Sequence, residues 1–325
     1  MISEDDLIAR FFAPMAGQGG LGLRDDAALV AIAPDEELVI TADALAAGVH
    51  FFADDPPDSI ARKALRVNLS DLAAKGAAPK GFLLSLALPK DWREDWLGAF
   101  ADALADDARN FSCPLLGGDT IRSPGELFLS ITALGTVPRG KMVRRDGARV
   151  GDRIYVSGTI GDAAAGLLLR KQREPGLSIG QDDRAFLLDR YLHPQPRLAL
   201  APILRAHACA AMDVSDGLVG DLRKMLRGSG VSARIELRNV PLSAAGRSAL
   251  AADPSLHEHL LAGGDDYEIL CTVPPHAGGS FEAAAKKALI DVTAIGVVES
   301  GHDAPCFLDK DGTRKDFGQR SFSHF

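Results

Sequence analysis

The chain has 325 residues, 46% hydrophobic and 25% charged, with a net charge of −8. This is the composition of an ordinary globular protein with enough chain for two domains. Its basic residues are scattered, the densest patch being Arg139 to Arg149, which excludes the clustered charge that nucleic-acid binding requires. No apolar run approaches the ~20 residues of a membrane helix, and the acidic start Ser3-Glu4-Asp5-Asp6 is unlike a signal peptide. Cys113, Cys209, Cys271 and Cys306 form no CxxC pair, so the expectation is a cytoplasmic protein with reduced cysteines.

In chain order, Ser3 is placed to cap a helix running through Phe12, with Asp5 and Asp6 in its first turn. Strands are expected at Ala28–Ile32, Glu37–Thr41, Lys80–Leu88 and Leu127–Val137, with helices at Ser59–Lys75 and Asp91–Phe111 between them. Trp92 and Trp96 are four apart and predict a shared, packed helix face. A basic, glycine-bearing stretch near Arg145–Gly151 marks the boundary, giving domains 1–148 and 149–325. The second half opens with a strand at Asp152–Ser157, a turn at Gly158–Asp162 and an alanine-rich helix, and the same strand–turn–helix order recurs over Ala210–Leu226. Gln172–Asp183 reads as a loop, and further strands are expected at Ala233–Leu237, Tyr267–Val273, Val292–Val298 and Pro305–Leu308. The fold class is therefore α/β (α+β) in two domains.

Several motifs match only superficially. Gly135 to Met142 is one residue short of a phosphate loop, with Met142 where a hydroxyl should hold Mg²⁺. Gly17-Gln18-Gly19-Gly20-Leu21-Gly22 spells GxGxxG but follows a helix, so a mobile loop is preferred to a dinucleotide fingerprint, with a loop covering phosphates as the alternative. Asp309-Lys310-Asp311-Gly312 lacks the glutamate of a calcium loop and predicts a hairpin turn. His257 and His259 lack zinc-helix spacing.

What remains is a series of acidic, glycine-punctuated clusters: Asp25-Asp26, Thr41-Ala42-Asp43, Asn68-Leu69-Ser70-Asp71, Gly117-Gly118-Asp119, Asp213-Val214-Ser215-Asp216-Gly217 and Gly263-Gly264-Asp265-Asp266. Several follow apolar runs, as though at strand ends. Singly, each is an ordinary turn or helix cap, since Asp, Ser and Gly populate turns. Together they offer hard oxygen ligands, and Mg²⁺ bound in this way works with substrate phosphates.

Read in order, with Gly48-Val49-His50-Phe51 and Arg145-Asp146-Gly147-Ala148, these clusters resemble the thiamine-monophosphate kinases. That family lies in the superfamily of aminoimidazole ribonucleotide synthetase. The resemblance spans nearly the whole chain. It implies an N-terminal mixed-sheet domain that dimerises and a C-terminal α/β domain that completes the active-site cleft. It also implies transfer of the γ-phosphoryl group of ATP to thiamine monophosphate, with several Mg²⁺ ions. Carried over by position, it makes Asp26, Thr41, Ala42, Asp43, Asp71, Asp119, Asp213 and Asp216 metal ligands, Ala42 through its carbonyl. Gly118, Asp119, Arg145 and Ser215 become nucleotide contacts, and His50, Asp265 and Phe322 substrate contacts, with Asp43 and Asp119 beside the transferring group. Asp265 stands where the family more often has Glu, and Phe322 where some relatives carry Trp. A ribonucleotide cyclo-ligase, a selenide-phosphorylating enzyme and a non-catalytic nucleotide sensor are the alternatives. No cysteine precedes Cys113 to serve selenide chemistry.

Overall fold

The structure, a computed structural model, describes residues 3–171 and 177–317. It packs as two units, residues 1–72 with 77–141 and residues 73–76 with 142–325. In the first unit, α1 (Glu4–Leu7) runs on into a wider turn over Ile8–Phe12, and the Ser3 hydroxyl accepts the Asp6 amide at 3.1 Å as the expected cap. Then follow β1 (Glu36–Ala46), α2 (Pro57–Ala74), β2 (Ala78–Leu88), α3 (Glu94–Asn110), β3 (Leu115–Arg122) and β4 (Phe128–Pro138).

The four strands form a mixed sheet in the order β1-β4-β2-β3, parallel only between β2 and β3. Strand periodicity gives it two unlike faces. One carries the buried Leu45, Leu84, Leu86, Leu129 and Ile131, and the other carries the exposed Leu38, Ile40, Leu83 and Phe128. The helices bury their own stripes, Ile60, Ala64, Leu65 and Leu72 on α2 and Leu97, Phe100 and Leu104 on α3. Arg62 and Arg66 of α2 clamp the buried Asp107 of α3 at 2.8 and 2.6 Å, so the charge on that carboxylate is paired rather than stranded.

The second unit comprises β5 (Arg153–Ser157), α4 (Asp162–Lys171), α5 (Gln181–Leu192), α6 (Ala201–His207), β6 (Ala210–Asp213), α7 (Leu218–Ser229), β7 (Ser232–Glu236), α8 (Ala244–Ala252), α9 (His257–Ala262), β8 (Ile269–Val273), α10 (Gly278–Lys287), β9 (Val292–Glu299), β10 (Cys306–Leu308) and β11 (Arg314–Lys315). Its sheet runs β11-β10-β7-β9-β5-β8-β6. Apolar side chains of β5 are buried on both faces, Ile154 and Val156 in one cluster and Tyr155 in the other, as a strand covered on both sides requires. The expected hairpin at 309–312 joins β10 to β11, its turn closed by the Thr313 amide on the Asp309 carboxylate.

Four expectations are corrected. Ala28–Ile32 is extended chain with Leu29 exposed, not a strand; its Leu29 amide bonds the Gly19 carbonyl instead of a sheet partner. The glycine loop at 17–22 is accordingly not free but stapled by the Gly17 amide to Leu115 at 2.7 Å. Trp92 precedes α3, so only Trp96 belongs to the helix, where it stacks on Phe100. Gln181–Asp183 form the first turn of α5, while 172–176 of the expected loop lie outside the described residues.

Candidate active site

The first unit gathers its acidic residues in two places. On β1, Thr41 and Asp43 share the face that meets α2, and the Thr41 hydroxyl donates to the Asp71 carboxylate at 2.5 Å. Asp71 lies on the last full turns of α2, the helix that Asp107 ties to α3. The bond aims the Asp71 carboxylate along the strand face that carries Asp43. The Ala42 carbonyl belongs to the same strand, which is an edge of the sheet. The turn after β1 holds His50, whose Nδ1 accepts the Ala46 amide at 3.1 Å, fixing the ring and leaving Nε2–H as its donor.

The second place is a cavity of about 720 Å³ lined by Asp25, Asp26, Ser85, Gly118, Asp119 and Thr132 with apolar neighbours. Gly118 is required there by contact, because a Cβ would fall 1.8 Å from the Leu84 carbonyl oxygen on the paired strand. Gly117 to Thr120 are therefore part of β3 rather than a turn at its end. Asp43 and Asp119 sit on β1 and β3, the two opposite edges of the sheet, three interstrand spacings or about 14 Å apart.

In the second unit, Asp213 is the last residue of β6, and Ser215 and Asp216 sit in the turn leading to α7. This turn is welded to the one holding Asp265. The Asp265 amide donates to the Ser215 carbonyl and the Tyr267 amide to Val214, both at 2.9 Å. A Cβ on Gly264 would lie 2.2 Å from the Ser215 carbonyl oxygen. Asp265 has φ 72° and Tyr267 φ 51°, a strained region for side-chain-bearing residues; that is why β8 starts at Ile269 and not at Tyr267. Arg145 is exposed, and its segment runs beside the start of β6, where the Ala211 amide donates to the Arg144 carbonyl. Phe322 lies outside the described residues.

Sequence reasoning missed the groups that hold these loops. Lys224 bridges Asp216 and the buried Asp221, bonding the latter at 2.8 Å; burial pushes the Asp221 carboxyl up to about 6 against the pull of Lys224. Asp266 is the fully buried cap of α4, accepting the Gly161 and Ala163 amides at 2.7 and 3.2 Å, and burial raises its carboxyl well above the usual range. Glu268 is wholly buried between Arg190 at 2.9 Å, Arg197 at 2.7 Å and the Ser157 hydroxyl at 2.6 Å.

The donors assembled at the expected metal positions are carboxylates, a threonine hydroxyl and an edge-strand carbonyl, with no thiolate or imidazole among them. This hard oxygen set fits Mg²⁺. Among the described residues of one chain, no three His, Cys, Asp or Glu side chains converge as a metal-holding group, in keeping with the separation of β1 from β3.

The chain matches the AIR synthase related protein family, its N-terminal domain over residues 24–137 and its C-terminal domain over 149–306. A thiamine-monophosphate kinase of Caulobacter vibrioides is 42% identical, with 94% of this chain and 86% of that protein covered. Among solved structures, the thiamine-monophosphate kinase of Stenotrophomonas maltophilia superposes with a TM-score of 0.81 at 41% identity, covering 89% and 90% of the two chains. AaThiL complexed with AMPPCP and TMP gives 0.77 at 32% identity, covering 93% and 91%.

Proposed function

Because this chain belongs to the thiamine-monophosphate kinase family, we propose that it phosphorylates thiamine monophosphate to thiamine diphosphate with ATP by direct in-line transfer in a homodimer. The observation that carries the reading is the pairing of Thr41 with Asp71 beside Asp43 on one edge strand, with Gly118 and Asp119 on the other. The relative AaThiL is complexed with AMPPCP and TMP, which supports the reading.

Transfer to a phosphate monoester brings two anions together, so neutralisation and alignment are the main tasks. Asp26, Thr41, the Ala42 carbonyl, Asp43, Asp71, Asp119, Asp213 and Asp216 would hold Mg²⁺ ions, which would supply positive charge to offset the phosphates. Arg145 adds a fixed cation, and the main chain at Gly118 and Ser215 contacts the nucleotide. His50 donates from Nε2–H to the acceptor, and Asp265 and Phe322 complete its binding site. The acceptor phosphate, with a second pKa near ~6, is largely dianionic at neutral pH, so no side chain acts as general base.

One surface feature supports the dimer. An exposed apolar sheet face carrying Ile40, Leu83, Ile121 and Phe128 suits burial against a second copy. In such a pair, the β1 edge of one copy meets the β3 edge of the other, and Asp43 and Asp71 of one chain join Asp119 of the second. Four free cysteines and a requirement for ATP support a cytoplasmic reading; among the described residues, no helix is long and apolar enough to cross a membrane. The test is transfer from ATP made chiral at the γ-phosphorus with oxygen isotopes. The terminal phosphoryl of thiamine diphosphate should carry the label with inverted configuration. Retention would indicate a covalent phosphoenzyme, and label left out of thiamine diphosphate would sink the reading.

A further inference from the structure

The second unit contains a cavity of about 640 Å³ that shares no residue with the site above. Its floor is apolar, with Leu237 and Val240 each 7% exposed. Its walls bring cations from separate elements: Arg238 from the turn after β7, Arg247 from α8, Lys310 from the β10–β11 turn and Lys315 from β11. Asp309 is the one acid in the lining. It is already engaged, accepting the Asp311 and Thr313 amides at 3.0 and 2.9 Å, with Lys315 at 3.8 Å. Arg247 donates to the Leu242 carbonyl. The Asp309 carboxyl is held below its usual value, first by the Thr313 amide and further by the Asp311 amide, Lys315 and Lys310.

The four cations that line the cavity are solvent-exposed and outnumber its one carboxylate, in a chain whose net charge is −8. Like charges crowded around a concavity repel each other, and an anion in that concavity relieves them while being focused by its low-dielectric walls. The volume lies in the range of small-molecule pockets, which combine an apolar lining with a few convergent polar groups. Guanidinium groups match phosphate oxygens in geometry, and the Leu237–Val240 floor matches an apolar or aromatic body.

We propose that this cavity is a second binding site, for a small organic phosphate carrying an apolar or aromatic body, separate from the site of phosphoryl transfer. The experiment is hydrogen exchange read by mass spectrometry on the full chain without Mg²⁺, using 1-naphthyl phosphate as probe and inorganic phosphate for comparison. Protection is expected over 237–242 and 309–315, at lower concentration with the naphthyl ester. In the double variant Arg238→Glu/Lys310→Glu, half-saturation should move about tenfold or more upward. Kinase turnover should stay unchanged, which also reports that the variant is folded. No protection of these segments by either compound, or protection unaltered in the double variant, overturns the proposal.

Discussion

Mixing two inactive variants tests whether one active site is built from two chains. Asp43→Asn and Asp119→Asn each remove one negative charge with little change of shape, and each should lower turnover ~100-fold or more by loss of metal-held charge. Asp43 lies on β1 and Asp119 on β3, at opposite edges of the sheet and about 14 Å apart. That backbone separation exceeds the reach of two Asp side chains joined through one ion, whose bonds to oxygen are ~2.1 Å. If a second copy supplies Asp119, a heterodimer of the two variants has one site with both substitutions and one with neither. Equal mixing with full exchange makes half the dimers heterodimers, so a quarter of all sites are intact. Activity should recover to about a quarter of wild type, ~25-fold above either parent. The assay is ADP release after co-refolding, with heterodimer content measured by native mass spectrometry. Heterodimers present at the expected level with no recovery would refute the reasoning and return both carboxylates to one chain.

Asp71→Asn should cost ~100-fold or more in kcat, whereas Thr41→Val, which removes only the hydroxyl aiming that carboxylate, should cost roughly tenfold; the double variant should resemble Asp71→Asn alone, since the two act as a unit. Mg²⁺ affinity by calorimetry should fall in the same order, and equal losses for the two single variants would contradict it. Glu268→Gln leaves Arg190 and Arg197 facing a neutral amide in a buried site, with an expected destabilisation of ~3–5 kcal/mol, read as a thermal midpoint lower by about 10 °C; a change under ~1 °C would show that water already compensates the pair. Gly264→Ala forces the Ser215 and Asp265 turns apart and should lower stability by ~1–3 kcal/mol together with kcat/KM. Gly279→Ala, on α10 with open space around it, should be neutral or slightly stabilising and serves as the control.

Much of the fold is legible where burial and period agree. Ile154–Val156 and Ile269–Cys271 are apolar runs, and both lie in interior strands of the second sheet. β3 is illegible because Gly117-Gly118-Asp119-Thr120 is turn chemistry by composition. It is a strand because β2 approaches so closely that only glycine fits at 118. Ala28–Ile32 fails in the opposite sense, since its β-prone residues have no partner strand. In the site, acidic residue types and their order point to metal-assisted phosphate chemistry, but the supposed strand-end placement holds for Asp213 and not for Asp43, Asp71 or Asp119. The supporting groups were out of reach of local pattern. Glu268 is 78 and 71 residues from Arg190 and Arg197, and nothing in Gly263-Gly264-Asp265-Asp266 distinguishes the strained Asp265 from the buried helix cap beside it.

The most direct measurement follows ADP and thiamine diphosphate together in one reaction of the purified protein with ATP, Mg²⁺ and thiamine monophosphate, with thiamine as the control acceptor. The account predicts one ADP for each thiamine diphosphate and no diphosphate formed from thiamine. ADP formed without thiamine diphosphate would contradict the assigned acceptor, and ATP bound by folded protein without ADP release would contradict catalysis itself.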